Sequence, residues 1–232
     1  MNKVRSYQHK VLKKTLLISL LIVFPLGKEV VAQREIYAHP EFQNYAQDHR
    51  IIAILPFSAK INMRPKQMAT MSPESLEKLQ TAEGLAVQSA LHTYYLKRKE
   101  QGKIRMNLEV QPDRTTNSLL KKAGVTENNI DQYTIQELAA ILGVQSIVHG
   151  NLNTDKPMSD GASVALGLLV GYYGATNNGD ITINISDGAT GTLLWKYDKT
   201  LSRSLGSDTQ SVINALMKKA SKRWPYAVEP AS

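Results

Sequence analysis

The chain has 232 residues, of which 42% are hydrophobic and 21% charged, and its formal net charge is +8. This length suits one domain with a targeting segment, or at most two small domains. Cysteine is absent, which excludes disulfides, thiolate zinc sites, a cysteine nucleophile and the lipid-modified N-terminal cysteine of a bacterial lipoprotein.

Residues 1–32 have the composition of a secretory signal peptide. Residues 3–14 are basic, residues 16–24 are apolar, and Val30 and Ala32 occupy the two positions that a signal peptidase reads. The apolar core is shorter than the roughly twenty residues of a membrane span, which favours cleavage over an uncleaved anchor. We therefore expect a mature protein in the periplasm or at the outer membrane, and not a lipoprotein.

The leader also carries most of the positive charge. Six cations and one carboxylate precede Gln33, so +5 of the +8 belongs to the leader and +3 to the remainder. A basic chain would ordinarily suggest a nucleic-acid partner. Because the excess lies in the leader, we predict that the protein does not bind nucleic acid.

Residues 51–55 form an unbroken apolar run that Pro56 ends. No polar residue alternates within it, which predicts a strand buried on both faces, as in a sheet covered by helices. Residues 33–48 are predicted to be an N-terminal arm with one short helical turn. His39 and His49 lack partnering carboxylates in the sequence, so we predict solvated surface imidazoles and not metal ligands.

A long helix is predicted to begin at residues 72–74, after a polar loop at residues 59–71. Serine at the N-cap, proline at the first helical position and an acid in the first turn are typical of a helix start. Residues 97–99 are cations that suit the end of a helix dipole, and anionic lipid headgroups are their alternative partner. The predicted buried face comprises Leu76, Leu79, Ala82, Leu85, Ala86, Ala90 and Leu91.

The middle of the chain predicts one strand and two helices. Residues 103–110 alternate between apolar and polar, which is typical of a half-exposed strand. Residues 116–122 predict a short helix. Thr134 and Glu137 form a capping box before a further helix that ends at Gly143. The predicted buried residues of this helix are Leu138, Ala139 and Leu142.

Residues 146–152 predict another strand, interrupted by His149, for which we expect a buried or rim position and a backbone partner. A hydrolase or metal enzyme would have to pair His149 with Asp187 or Asp180. The sequence shows no base–nucleophile pair of the kind that such chemistry needs. We therefore predict no catalytic residue, no metal site, no cofactor and no enzymatic activity.

Residues 161–174, GASVALGLLVGYYG, contain no charge. Three interpretations stay open: a buried core strand or loop, a flap that binds a partner, or an arm of a membrane-inserting hairpin, since a transmembrane strand needs only about ten residues. The candidate residues for contact with a partner or a membrane are Val164, Leu166, Leu168, Val170, Tyr172 and Tyr173.

Residues 180–187 and 192–202 predict a β-hairpin around the turn 188–191. Asp187 is predicted to bond its own turn, and Asp198 to lie on the solvent-exposed face. A last helix, capped at residues 207–209, is predicted to end at 224–226. The predicted inward residues are Ile181, Ile183, Ile185, Leu193, Trp195, Tyr197 and Leu201 in the hairpin, and Val212, Ile213, Leu216, Met217 and Ala220 in the helix.

The element order predicts an α/β fold: a single layered domain over residues 49–226, with a central mixed sheet, helices packed on it, and a C-terminal hairpin followed by a final helix. The first strands should be parallel through right-handed crossovers. Residues 227–232 are predicted to be a tail.

Three stretches resemble a known superfamily: the strand IIAILPF, the helix–strand unit ELAAILGVQSIVHGNL and the hairpin SDGATGTLLWKYD. They are similar to bacterial envelope proteins that include the CsgG-like curli secretion-channel subunit, the penicillin-binding-protein activator LpoB and the TolB amino-terminal domain. The resemblance spans roughly residues 50–224.

The resemblance implies a non-enzymatic accessory protein whose partners are other envelope proteins or further copies of itself. The alternative that it implies is an oligomeric secretion-channel or membrane-inserting component that uses residues 161–174. This chain departs from the superfamily by lacking the lipidated cysteine, which weakens the expectation of an outer-membrane anchor and of a pore.

Overall fold

A seven-stranded mixed sheet forms the centre of the computed structural model, which describes residues 35–105, 107–155, 157, 179–201, 209–220, 226 and 227. These residues belong to the compact unit Arg34–Ser232. The strands are β1 (Glu35–Ala38), β2 (Ile51–Ile54), β3 (Ser58–Ile61), β4 (Glu109–Val110), β5 (Ser146–Thr154), β6 (Gly179–Asp187) and β7 (Leu193–Leu201). The helices are α1 (Phe42–Ala46), α2 (Pro65–Met68), α3 (Pro73–Glu100), α4 (Asp113–Lys122), α5 (Ile135–Leu142) and α6 (Thr209–Ala220), with a 3-10 turn at Ile130–Gln132.

The apolar run at the start of the domain is a strand with both faces buried, as predicted, except that Ile51 at its start is 37% exposed. Ile52 and Ile54 pack into the larger apolar cluster of the protein, whereas Ala53 and Leu55 pack into a second cluster on the opposite face. All four are at most 3% exposed. β2 lies between β5 and β4 and is parallel to both. Apolar neighbours on both faces explain why no polar residue interrupts the run.

The strand order is β1-β7-β6-β5-β2-β4, with β3 also paired to β5. β2 and β3 are both parallel to β5. β5 pairs antiparallel with β6, and β6 pairs antiparallel with β7. The mixed α/β sheet is therefore confirmed. The prediction of a loop at residues 59–71 is wrong, because β3 and α2 lie there. Ala59 and Ile61 are buried and alternate with exposed neighbours, but the four-residue strand is too short to stand out in the sequence.

The N-terminal arm contains a strand that the sequence did not indicate. β1 pairs antiparallel with β7, and Ile36 lies opposite Tyr197. The predicted helical turn is confirmed as α1, whose residues Phe42 and Ala46 are buried. The arm is thus part of the sheet and its core.

α3 begins as predicted, but its buried face is different. The Ser72 side chain accepts a hydrogen bond from the backbone of Ser75, and Pro73 is the first helical residue. Ala82 and Leu85, both predicted inside, are exposed. The buried residues are Leu79, Glu83, Gly84, Val87, Gln88, Ala90, Leu91, Tyr94 and Tyr95.

Two polar residues explain this difference. Gln88 donates from Nε2 to the carbonyl oxygen of Ile54 at 2.7 Å, and the hydroxyl of Thr209 in α6 donates to Glu83 at 3.3 Å. Both polar side chains occupy the contact face because each has a hydrogen-bond partner there. A prediction from the spacing of apolar residues alone therefore placed the buried face of α3 about one residue away from its observed position.

The predicted strand at residues 103–110 is mostly wrong. It is reduced to the two residues of β4 and an isolated bridge between Ile104 and Ala227. Leu108 donates its backbone N–H to the carbonyl of Arg105 at 3.1 Å, which forms a turn where a strand was expected. Ile104 and Leu108 are nevertheless buried. The alternation of apolar and polar residues therefore predicted their burial correctly, but it did not predict the backbone conformation.

The helices on the second face agree with their sequence signals. The short helix predicted at residues 116–122 is α4, which begins slightly earlier. Thr134 and Glu137 form the complete capping box, and Gly143 ends α5 at φ +66°. The predicted residues Leu138, Ala139 and Leu142 are buried in the second apolar cluster.

α6 packs on the first face beside α3 through Val212, Ile213, Leu216 and Met217, as predicted. The predictions for the side chain of Ala220 and for residues 207–208 and 224–225 lie outside the described residues. Of the helices that the structure describes, none combines the length and the apolar character needed to cross a bilayer.

The β6–β7 hairpin is confirmed, including the burial of Ile181, Ile183, Ile185, Trp195 and Tyr197. Leu193 was predicted inside but is 37% exposed, whereas Leu194 is fully buried. A register shift between Ile185 and Ser186 causes this exchange, since Ser186 pairs with Leu193 and Leu194 is the extra residue of a β-bulge. The exposure of Leu201 lies outside the described residues.

Candidate functional site

An apolar groove opens between helix α3, helix α4 and the turn that joins β2 to β3. It is here called the α3–α4 groove. Its volume is about 350 Å³, which lies within the range of pre-formed ligand and side-chain pockets. Its apolar lining comprises Pro56, Phe57, Leu85, Leu120, Val125 and Ile130.

The floor of the groove is rigid because α3 touches the strand junction directly. The backbone N–H of Phe57 donates to the carbonyl of Gly84 at 3.2 Å, and a Cβ at position 84 would lie 2.0 Å from the carbonyl oxygen of Phe57. Gln88 and Asn117 exchange two amide hydrogen bonds, of 2.9 and 3.0 Å, across the two helices. These contacts fix the width of the groove before any ligand binds.

Leu85 makes the apolar lining continuous with the surface. It is 37% exposed, although the spacing of apolar residues in α3 had suggested that it packs in the core. Lys121 and Glu127 also line the groove, and neither belongs to an ion pair among the described residues. The groove thus offers apolar contact with one charge of each sign at its rim.

A second feature is a buried polar network, here called the His49 cluster, of His49, Ser146, Asp187 and Tyr226. His49 Nε2 lies 3.0 Å from Asp187 Oδ1, and His49 Nδ1 lies 2.7 Å from the Tyr226 hydroxyl. Tyr226 donates to Ser146 Oγ at 3.0 Å. The four residues are at most 6% exposed. The prediction that His49 is a solvated surface imidazole is therefore wrong.

Asp187 bonds its own turn, as predicted, and it also has a second role. Its Oδ2 accepts from both the backbone N–H and the hydroxyl of Thr190 at 2.7 Å, while Oδ1 faces His49. Burial by itself raises the pKa of Asp187, but the hydrogen bonds from His49 and Thr190 outweigh it, so the pKa lies below its usual value. The aspartate is therefore ionised in the folded protein at neutral pH.

The geometry of the His49 cluster suits a structural role. Both ring nitrogens of His49 are engaged, and the Ser146 hydroxyl donates to the carbonyl oxygen of Ser186 at 2.9 Å. Burial raises the pKa of Tyr226 well above its usual value, so the phenol stays protonated. The cluster joins the segment before β2, the start of β5, the end of β6 and residue 226. It consequently ties the C-terminal segment to the sheet.

His149 does not join these residues. Its Nε2 lies 3.1 Å from Ser186 Oγ, so its partner is a side chain and not the predicted backbone group. It forms no ion pair with a carboxylate among the described residues, and Asp187 faces His49 instead. Asp180 lies opposite Asn153. The pairing that a His149-based hydrolase would require is therefore not formed.

Burial lowers the pKa of His149 from 6.5 to about 4. The unfolded chain therefore takes up a proton first as the pH falls, and the stability present above pH 6.5 decreases towards pH 4. The full effect is about 3 kcal/mol. We expect His149→Gln to flatten the pH dependence of the urea midpoint between pH 6.5 and 4. An unchanged slope in His149→Gln would contradict the assignment.

The predicted contact residues Val164, Leu166, Leu168, Val170, Tyr172 and Tyr173 lie outside the described residues. Within the part of the chain that the structure describes, no group of three or more histidine or acidic side chains could hold a metal ion. His39 accepts a hydrogen bond from the backbone of Glu41 at 3.1 Å and contacts the ring of Tyr45 edge-on at 5.4 Å.

Together these features define an α/β protein with one mixed sheet, an apolar groove and a buried polar cluster. No family model matches the sequence, and no curated protein matches it.

Solved structures similar to the chain include lipoprotein GNA1162 from Neisseria meningitidis, at 12% identity and a TM-score of 0.40, covering 75% of this chain and 95% of that one. The LpoB C-terminal domain from Salmonella enterica has 11% identity, a TM-score of 0.33 and coverages of 70% and 93%. A PelC dodecamer from Paraburkholderia phytofirmans has 10% identity, a TM-score of 0.31 and coverages of 84% and 99%. These values establish no family membership.

Proposed function

We propose that this chain is an exported, non-enzymatic accessory protein of the bacterial envelope that holds another envelope protein in the α3–α4 groove. The observation that carries the proposal is an apolar groove that is continuous with the exposed side chain of Leu85. Large apolar side chains that enter such pockets supply most of the energy of a protein interface. A volume of about 350 Å³ suits one or two such side chains of a partner.

The charges at the rim support a protein partner. Lys121 and Glu127 both line the groove, so a partner segment with an acid and a base beside its apolar anchor would match them. Rim charges of this kind orient a partner and add little affinity. Affinity should therefore depend on Leu85 more than on Lys121 or Glu127.

The hydrogen bonding inside the His49 cluster supports a role without catalysis. A nucleophile needs a base within reach and access to a substrate. The hydroxyl of Ser146 is committed to Ser186, and both nitrogens of His49 are committed to Asp187 and Tyr226. Each of these groups already has its partner inside the protein.

The signal-peptide composition of residues 1–32 supports the envelope as the location. We propose that residues 1–32 are removed as a signal peptide, that residues 33–48 form an arm whose strand β1 joins the sheet of the domain at residues 49–226, and that a tail follows at 227–232. The intact mass of the protein recovered from the periplasm should correspond to a chain that begins at Gln33. Recovery of the full-length chain from the cytoplasm would contradict export.

The partner-binding proposal is tested with Leu85→Asp. A charge placed in the apolar groove should weaken partner binding by at least tenfold, because a buried carboxylate without a partner is costly. Leu193→Asp is the matched control, since Leu193 has the same exposure, 37%, and lies on β7. A photo-crosslinking residue at position 85 should give one discrete adduct in cells, and the same residue at position 193 should not. Equal adducts at both positions would contradict the proposal.

The second candidate is an oligomeric secretion-channel or membrane-inserting component, and the uncharged sequence of residues 161–174 favours it. Under this candidate, deleting residues 161–174 abolishes insertion into liposomes while the rest of the domain still folds. A mature protein that stays monomeric and does not bind liposomes would eliminate this candidate.

A further inference from the structure

A second cavity lies between the N-terminal arm, α5 and the turn of the β6–β7 hairpin, and it is here called the Asp48 cleft. Its lining comes from three segments, within residues 44–49, 136–145 and 187–190. Its volume is about 770 Å³, which lies in the range of pre-formed ligand sites. The cleft shares no lining residue with the α3–α4 groove, so it is a separate candidate site.

The walls of the cleft are fixed to one another by hydrogen bonds. The backbone N–H of Gly188 in the hairpin turn donates to the carbonyl oxygen of Gln145 at 2.8 Å. In α5, Gln136 donates from Nε2 to the carbonyl oxygen of Thr190 at 2.8 Å. The side-chain oxygen of Gln145 accepts from the backbone N–H of Ile51, just after the arm, at 2.8 Å. The cavity is therefore formed before any ligand binds, which lowers the cost of binding.

The charge in the cleft is negative. Asp48 is exposed, and its carboxylate forms no ion pair among the described residues. Asp187, which is ionised at neutral pH, lies in the wall and is 6% exposed. The lining contains no lysine and no arginine. Arg50 is the nearest cation along the chain, but its guanidinium donates to the backbone carbonyls of Gln47 and His49 outside the lining. The two carboxylates thus share a cavity that has no cation of its own.

Other groups in the lining also favour a positive charge. α5 ends at Gly143, which lines the cleft, so the negative end of the helix dipole lies there. Tyr45 supplies an aromatic ring, and such a ring attracts cations that lie within about 6 Å of its centroid. The side-chain oxygen of Gln136 has no hydrogen-bond partner among the described residues, because this residue bonds through its nitrogen. The groups that are left to bind a ligand are therefore mainly acceptors.

We propose that the Asp48 cleft binds an alkylammonium cation, such as the end of a lysine side chain or of a free diamine. An ammonium group has three donors and no acceptor, which matches a lining rich in acceptors. It would donate to the carboxylate of Asp48, while its methylene groups would lie against Ala140, Val144 and Ala189, the apolar part of the lining. The proposal does not rest on the α3–α4 groove or on its partner.

The test is an NMR titration of the exported protein with 1,5-diaminopentane, and with 1,5-pentanediol as its neutral counterpart. The diamine should shift the signals of residues 44–49 and 187–190 to saturation, and the diol should not. Asp48→Asn should weaken diamine binding about fivefold, the effect of losing one exposed charge pair. Asp131→Asn is the matched control, since Asp131 is also exposed and also forms no ion pair among the described residues. It should bind the diamine like the wild type.

A second variant fills the cleft. Ala140→Lys places an ammonium group on the exposed face of α5 inside the lining. It should weaken diamine binding about tenfold, because the tethered ammonium competes at a high effective concentration. Ala82→Lys is its control, since this exposed alanine of α3 lies outside the lining and the change in charge is the same. Leu85→Asp should bind the diamine normally, which separates this result from failure of the groove proposal.

A further arm identifies the source of the cation. Binding of an end-capped peptide with a single lysine, and not of its norleucine analogue, would assign the site to a protein side chain. Binding of the diamine alone would assign it to a free diamine. Equal binding of diamine and diol would overturn the proposal, and so would equal losses of affinity in Asp48→Asn and Asp131→Asn.

Discussion

Gly84→Ala is expected to destabilise the protein by about 3 kcal/mol or more, because the added methyl group has no space. A Cβ at this position would lie 2.0 Å from the carbonyl oxygen of Phe57 and 3.1 Å from its carbonyl carbon. These are backbone atoms, so no side-chain rotation can relieve the contact. Either α3 moves away from the sheet or the junction between β2 and β3 shifts.

Neither movement is easy. The backbone N–H of Leu55 donates to Val148 at 2.9 Å just before the junction, and β3 pairs with β5 just after it. The ring of Phe57 lies against Gly150, where an added Cβ would meet Cε1 at 2.7 Å. Since the junction is held on both sides, the strain should appear as lost stability, measured by urea unfolding, and as altered fluorescence of a probe in the groove.

Gly124→Ala is the matched control for this prediction. Gly124 has φ +74°, and nothing lies within 4 Å of an added Cβ, so only the left-handed backbone opposes the alanine. The cost of that conformation is about 1 to 2 kcal/mol. A Gly84→Ala variant no less stable than Gly124→Ala would show that α3 is not in tight backbone contact with the junction between β2 and β3.

Much of the fold could be predicted because its signals are local. Ser72 and Pro73 mark the start of α3, Thr134 and Glu137 cap α5, and the apolar run that contains Ile52 and Ile54 marks the central strand. Each depends on residues within four positions of one another. The local signals failed where contacts between residues distant in sequence determine which side chains are buried. The buried face of α3, which includes Glu83, Gly84 and Gln88, is an example.

The candidate sites could not be predicted from the sequence for the same reason. The α3–α4 groove is assembled from the strand junction at Phe57, from Leu85 and from Leu120, none of which is near another along the chain. In the His49 cluster, the hydrogen-bonded residues His49 and Asp187 are 138 positions apart. The turn signal at Asp187 was visible, but nothing nearby indicates which side chain faces its second oxygen.

The largest electrostatic effect is expected from Asp187→Ala. Removing this carboxylate leaves the Nε2 of His49 and the backbone N–H of Thr190 without their acceptor inside the protein. Breaking one side of a buried pair costs about 3 to 5 kcal/mol, because the other side stays desolvated. Tyr226→Phe removes the hydroxyl that bridges His49 and Ser146, and it should cost less, about 1 to 3 kcal/mol.

Asp198→Ala is the control, since this aspartate is also in the hairpin and is also bonded. It accepts from Thr182 at 2.6 Å and from Lys196 at 2.7 Å, but its side chain is 31% exposed. Water can replace those partners, so the expected loss of stability is below about 1 kcal/mol. Equal losses for Asp187→Ala and Asp198→Ala would mean that the His49 cluster does not fasten the C-terminal segment to the sheet.

The pH dependence distinguishes the loss of the Asp187 carboxylate charge from a simple packing defect. The pKa of Asp187 is lowered from 3.8 in the folded state, so its carboxylate stabilises the fold above that value, and the contribution is lost as the pH falls through the folded pKa. The difference in unfolding free energy between the wild type and Asp187→Ala should therefore be constant near neutral pH and shrink below the usual aspartate pKa. A packing defect would give the same difference at every pH, and that result would refute an electrostatic role for Asp187.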